Sequence, residues 1–139
     1  MKNMITYQFE GWIQIDLPET WGYEQEDDIL NIYANIRPKG VLQISFYRID
    51  LEENREDIVS HFLDKFINKF DIEVDINTKM VLERDDYTIA TTEGMQGGRF
   101  VKVWYVVEEK RMLLFTYNAD KKTREVSTIE DIVYGTIFI

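Results

Sequence analysis

Between Asn54 and Phe70, the apolar side chains Ile58, Val59, Phe62, Leu63, Phe66, Ile67 and Phe70 recur at helical spacing and form one broad stripe. Asp57, His61, Asp64, Lys65 and Asn68 fall on the opposite side. Asn54 is placed to cap the first turn, where Glu56 and Asp57 suit the helix dipole. The spacing predicts a helix over 55–70, buried on a flat surface with Phe62 and Phe66 as anchors. One other stretch, 123–134, has the same period, with Val126, Ile129, Ile132 and Val133 on one side and Gly135 as its stop. Around these two helices the chain alternates with period two, and no βαβ repeat follows either of them. That order constrains the chain to an α+β fold, an antiparallel sheet of about six strands flanked by two principal helices.

The strands can be placed one by one. Over 12–17, Ile13, Ile15 and Leu17 share one face, and Pro18, which lacks an N–H, ends the run. The segment 24–28 reads as a polar loop and 29–36 as a strand. Arg37-Pro38-Lys39-Gly40 supplies turn chemistry, with Gly40 free to take a positive φ. In the returning strand, 41–49, Leu42, Ile44 and Phe46 face one way and Gln43, Ser45 and Tyr47 the other. Residues 71–78 read either as an edge segment or as a loop. Strands follow at 80–83, 87–93, 99–108 and 112–117, with a hairpin loop at Gln96-Gly97-Gly98. The last two strands are apolar on both faces: Phe100, Trp104 and Val106 oppose Val101, Val103, Tyr105 and Val107. Such strands belong at the centre of a sheet covered on both sides. Ile137-Phe138-Ile139 is too apolar for a free end and is expected to dock.

A chain of 139 residues, 45% hydrophobic and 14% aromatic, fits a single domain over 1–139 with a full core. Its 26 acidic and 16 basic residues give a net charge of −10. Such a chain is repelled by nucleic acid and by anionic membrane unless a basic patch overrides the average. No such patch is visible, since Lys and Arg occur singly or in pairs, as at Lys110-Arg111 and Lys121-Lys122. The acids cluster at 24–28, 52–57, 85–86 and 108–109. They read either as solvated surface or as a face for a basic partner. The absence of cysteine excludes disulfides, thiolate metal sites and cysteine nucleophiles. The first ten residues, beginning Met1-Lys2, lack the apolar core of a signal peptide. No apolar run approaches the roughly 20 residues of a membrane-spanning helix. The expected setting is therefore the cytoplasm.

Several segments together resemble the PsbP-like fold. They are Ile15-Asp16-Leu17-Pro18-Glu19-Thr20-Trp21, Leu42-Gln43-Ile44-Ser45-Phe46, Asp86-Tyr87-Thr88-Ile89-Ala90, Gly98-Arg99-Phe100 with Val103-Trp104, and Phe115-Thr116-Tyr117-Asn118 before a helix ending in Ile132-Val133. The fold is shared by a photosystem lumenal subunit, the Ran-release factor Mog and many small bacterial proteins. The chain looks most like an uncharacterised bacterial family of that kind. The resemblance covers nearly the whole chain and implies an antiparallel sheet flanked by helices. It brings no catalytic set, because fold does not fix function.

Candidate chemistry is sparse. His61 is the single histidine, and with Asp57 it supplies too few ligands for tight zinc, so a solvated surface histidine is expected. Gly94 to Arg99 joins two strands, whereas phosphate-cradling loops join a strand to a helix. Glu26, Asp27 and Asp28 are contiguous and lack the spaced oxygens and central Gly of a calcium loop. Trp21 and Tyr23 either plug the sheet edge or anchor a partner. No metal or cofactor is expected. The candidate binding residues are Trp21, Tyr23, Glu24, Glu26, Asp27 and Asp28. The leading expectation is a small non-enzymatic binding module with a basic protein as partner. The alternatives are an immunity-type inhibitor of a basic toxin or nuclease, and a small-ligand binder or enzyme with a pocket at the sheet edge.

Overall fold

The computed structural model describes residues 3–50 and 52–139, so Met1 and Lys2 of the leader reading lie outside it. Strands β1 (Met4–Phe9), β2 (Ile13–Pro18), β3 (Trp21–Glu26), β4 (Ile29–Ala34) and β5 (Gly40–Arg48) precede helix α1 (Arg55–Lys69). Next come β6 (Glu73–Val74), one 3-10 turn at Ile76–Thr78, β7 (Met80–Glu83), β8 (Thr88–Gln96), β9 (Arg99–Glu108) and β10 (Arg111–Ala119). Helix α2 (Glu125–Tyr134) and β11 (Ile137–Phe138) close the chain.

The large sheet runs β3-β4-β5-β10-β9-β8-β6, with β7 also paired to β8, and the small sheet runs β1-β2-β11. All the pairings are antiparallel. The expectation of about six strands is therefore corrected to eight plus three. The missed strands have physical reasons. β1 is exposed along most of its length, and β6 and β11 have two residues each. The segment read as a polar loop at 24–28 is the outer half of edge strand β3 and its turn, polar because it faces water.

The alternation read in β9 places each side chain as expected. Phe100, Trp104 and Val106 join the core formed with α2 and the small sheet. Val101, Val103, Tyr105 and Val107 join the core under α1. The tail docks as expected: Ile137 pairs with Gln14, Phe138 with Ile13, and the Ile139 N–H donates to the Trp12 carbonyl at 2.7 Å. Trp12, the first residue of the strand expected over 12–17, instead sits in the turn before β2, half-buried between the guanidinium groups of Arg48 and Arg111.

Helix α1 starts as predicted, with the Asn54 side chain accepting from the Asp57 N–H at 2.8 Å. Its buried residues are Ile58, Val59 and Leu63, however. Phe62 and Phe66 are only half-buried and Phe70 is exposed, so the phenylalanine row lies at the edge of the contact. The β4–β5 turn also departs from expectation. Arg37 takes the positive φ, at 50°, and Gly40 is needed for a different reason. A Cβ at Gly40 would lie 2.2 Å from the Asn118 carbonyl oxygen across the β5–β10 ladder. At the same place the Glu125 carboxylate, on the first residue of α2, accepts from the N–H groups of Lys39 and Gly40, both at 3.1 Å, and from the Tyr117 hydroxyl at 2.8 Å. One carboxylate thus ties α2 to the sheet through two backbone donors and a phenol.

Leu63→Ala should cost about 2–5 kcal/mol of stability and Phe66→Ala clearly less, read as urea midpoints. Equal losses would place Phe66 in the core after all. Gly40→Ala should cost about 1–3 kcal/mol through strand displacement, and an unchanged midpoint would show that β5 can move aside freely.

Candidate functional site

The structure splits the candidate binding residues between two faces. Trp21 is buried, 8% exposed, at the start of β3. Two residues on, Tyr23 points the same way, 45% exposed, with its ring edge-on to Tyr7 at 5.0 Å and Phe9 at 4.9 Å. Tyr23 thus packs β3 against the small sheet, and Trp21 joins the main core. Glu24 and Glu26 alternate to the opposite face, and Asp27, at φ 52°, and Asp28 form the β3–β4 turn. Glu24 accepts from the Tyr33 hydroxyl at 3.2 Å, and that bond together with the Glu24 charge raises the tyrosine pKa. Glu26, Asp27 and Asp28 surround a shallow depression with Asn31 and Gln43, whose side chains bond at 3.0 Å.

The face that bears Glu24 and Glu26 continues across β4 and β5 without a covering element, through Asn31, Gln43, Ser45 and Tyr47. It ends against α1 in a groove. Tyr47, Tyr105 and Leu114 form the floor, Phe62 and Phe66 the wall, and Lys65 and Lys69 stand at the rim. Phe62 stacks on Tyr105 at 5.8 Å, Phe66 meets Tyr105 edge-on at 6.2 Å, and Phe66 touches Phe70 at 4.6 Å. Two adjoining hollows of about 310 and 300 Å³ share Tyr47, Phe62 and Tyr105. Tyr47 remains 43% exposed and Phe70 39%. The sequence reading passed over this groove. Its signal was the spacing of Phe62, Phe66 and Phe70, a row beside the Val59–Leu63 row and too wide for one line of contact.

The other charged groups serve the fold. Glu93, buried on β8, bonds Lys122 at 2.6 Å and the cross-strand Lys102 at 3.2 Å, and Lys102 reaches Glu130 of α2 at 3.4 Å. Burial opposes ionisation of Glu93, but the hydrogen bonds from Lys122 and Lys102, with the charges of both, outweigh it and lower its pKa. His61 is exposed on α1, with Asp57 beside it. No three His, Asp or Glu side chains gather into a metal cage among the described residues. Gly97 and Gly98, at φ 56° and 83°, make the two-residue turn of the β8–β9 hairpin. No helix among the described residues is long and apolar enough to cross a membrane.

This architecture has known counterparts. The solution structure of cyanobacterial PsbP (CyanoP) from Synechocystis sp. PCC 6803 superposes with a TM-score of 0.69 at 10% identity, covering 100% of this chain and 94% of that one. A crystal structure from Bacteroides thetaiotaomicron VPI-5482 superposes with a TM-score of 0.69 at 11% identity, covering 100% of this chain and 49% of that one. The chain has the PsbP-like fold. No family model matches it, and no curated protein matches it in sequence.

The groove floor also makes the protein sensitive to alkali. Burial, and then the neighbouring Tyr47, pushes the Tyr105 pKa up to about 12, against about 10 in an unfolded chain. Between these values the folded state keeps a proton that the unfolded state has lost. The stabilisation is complete below about pH 10 and falls by about 1.4 kcal/mol per pH unit between about pH 10 and 12. Tyr117 shifts the same way through burial and its bond to Glu125. Urea midpoints should fall between pH 9 and 11, and less steeply for Tyr105→Phe. Parallel falls would mean that the Tyr105 hydroxyl is solvated.

Proposed function

We propose that this protein is a non-enzymatic cytoplasmic binding module that takes a basic protein partner on the uncovered half of its large sheet. The observation that carries the reading is the groove beside α1, where half-exposed aromatic rings line a concave surface, the kind of setting in which interface anchors concentrate their energy. The acidic end of the same face supports the sign of the partner. Glu24, Glu26, Asp27 and Asp28 are all exposed on the β3–β4 hairpin, and a net charge of −10 favours encounter with a basic protein over nucleic acid. The hairpin edge and the groove are separated by the strand spacings from β3 to β10, about 15 Å at the usual interval. The partner would therefore present an apolar anchor and a basic patch that far apart. An immunity-type inhibitor is a special case of this reading, with a basic toxin or nuclease as the partner.

A photo-crosslinking residue placed at Tyr47 should capture a discrete partner in cells, while one at the exposed Asp131 on α2 should not. With that partner purified, Glu24→Gln, Glu26→Gln, Asp27→Asn and Asp28→Asn together should slow association and weaken its salt dependence, with dissociation changed less. Identical capture from both positions, or none from position 47, would remove the groove as a docking surface. A salt-independent association rate would remove the acidic hairpin from the encounter.

A further inference from the structure

On the opposite face of the large sheet, the two layers do not close completely. Helix α2 ends at Tyr134, and the chain turns through Gly135 and Thr136 before β11 docks on β2. Between this last turn and strands β8, β9 and β10 lies a cleft of about 180 Å³. Its floor is the core itself: Ile89, Leu113 and Phe115 line it and are 3%, 1% and 0% exposed. Its mouth is polar, framed by Asp86, Tyr87, Glu108 and Tyr134.

Size and charge narrow what fits. A 150 Å³ apolar cavity holds a benzene molecule, and pockets for drug-sized ligands start near 300 Å³. The cleft therefore suits one ring with a short arm. At the mouth, Glu108 is already paired with the Arg111 guanidinium, a bond held on the far side by the Ile139 carbonyl, which accepts from the same arginine at 2.8 Å. Asp86 is exposed and forms no ion pair among the described residues. The Tyr134 hydroxyl accepts from the Trp104 indole N–H at 3.3 Å and keeps its own proton to donate. The nearby Arg55 guanidinium is engaged by the Arg84 and Asp85 carbonyls, at 2.8 and 3.4 Å, so a carboxylate outside any ion pair above an apolar floor favours a cation, in a chain whose net charge already repels anions.

We propose that this cleft binds a compact hydrophobic amine, its ring held between Tyr87, Tyr134 and Phe138 above the Ile89–Leu113 floor and its ammonium group at Asp86. The proposal is independent of the docking reading, because the groove beside α1 lies on the other side of the sheet.

Benzylamine, benzyl alcohol and benzoate are suitable probes, since they share the ring and differ in the charge of the head group. Titration into the isotopically labelled protein should give saturable shifts at the Ile89 and Leu113 methyls. The Trp104 indole N–H should shift as well, because Tyr134 links it to the mouth. A ligand this small should bind with a dissociation constant of about 1 mM. Benzylamine should bind about fivefold tighter than benzyl alcohol, the factor expected for one solvent-exposed charge pair, and benzoate should be weakest. Asp86→Asn should abolish the advantage of the amine and leave benzyl alcohol unchanged. The proposal is overturned if no probe saturates at tens of millimolar, if benzoate equals benzylamine, or if the amine keeps its advantage in Asp86→Asn. Shifts confined to Tyr47 and Tyr105 would overturn it too, by placing the ring in the groove instead.

Discussion

Strands β9 and β10 are apolar on both faces, and neither face can be left to water. Every other element is arranged around that requirement. Val101, Val103, Tyr105 and Val107 are covered by α1. Trp104, Val106, Leu113 and Phe115 are covered by α2 and the small sheet. The two covers differ in width. A helix is about 10 Å across and neighbouring strands are about 4.8 Å apart, so one helix shields roughly two strands. Helix α1 lies over β8 and β9, which leaves β3, β4 and β5 open on that side. The small sheet and α2 spread further and bury Leu30, Ile32, Leu42 and Ile44 on the other side. The uncovered face, and the groove at its border, follow from placing a single helix on a wide sheet.

What could be read from the sequence follows the same division. Where both faces of a strand are buried, the apolar pattern is dense, and β9 was legible to its last residue. The first helix was legible in extent, but its depth was not. Periodicity says which residues share a side, and only the partner surface decides that Leu63 goes in while Phe66 stops at the edge. The outer half of β3 was read as a loop because the edge strand is exposed along Glu24–Glu26 and so carries no apolar alternation there. Trp21 and Tyr23 were legible as an edge plug or a partner anchor, and the structure puts Trp21 in the core and the Tyr23 ring against Tyr7 and Phe9. The pleat sends Glu24 and Glu26 to the face opposite Trp21 and Tyr23. The groove was hidden for a different reason: its floor comes from β5, β9 and β10 and its wall from α1, segments that are distant in the chain.

The charged residues divide into two populations with different effects. Glu93 and Glu125 are held by partners on other elements and fasten α2 and its lead-in to the sheet. Losing one partner there strands a carboxylate in a poorly solvated place. Apart from the bond that Glu24 accepts from Tyr33, the exposed acids of the β3–β4 hairpin make no cross-element tie among the described residues, and their main effect is the field they project into solvent. The same residue type therefore fastens elements at one address and only charges the surface at another.

Gly40 and Gly94 have a consequence for how far such a sequence can drift. A Cβ at Gly94 would lie 2.1 Å from the Glu73 carbonyl oxygen, as one at Gly40 would strike that of Asn118. In both places the neighbour is main chain, which no compensating side-chain change can shorten. Most other positions ask only for an apolar or a polar group of tolerable size, a condition that many residues meet. A fold specified in this way can keep its shape while nearly all of its letters change, as the 10% identity with the cyanobacterial protein illustrates. The fixed points are then positions where a side chain has to be absent.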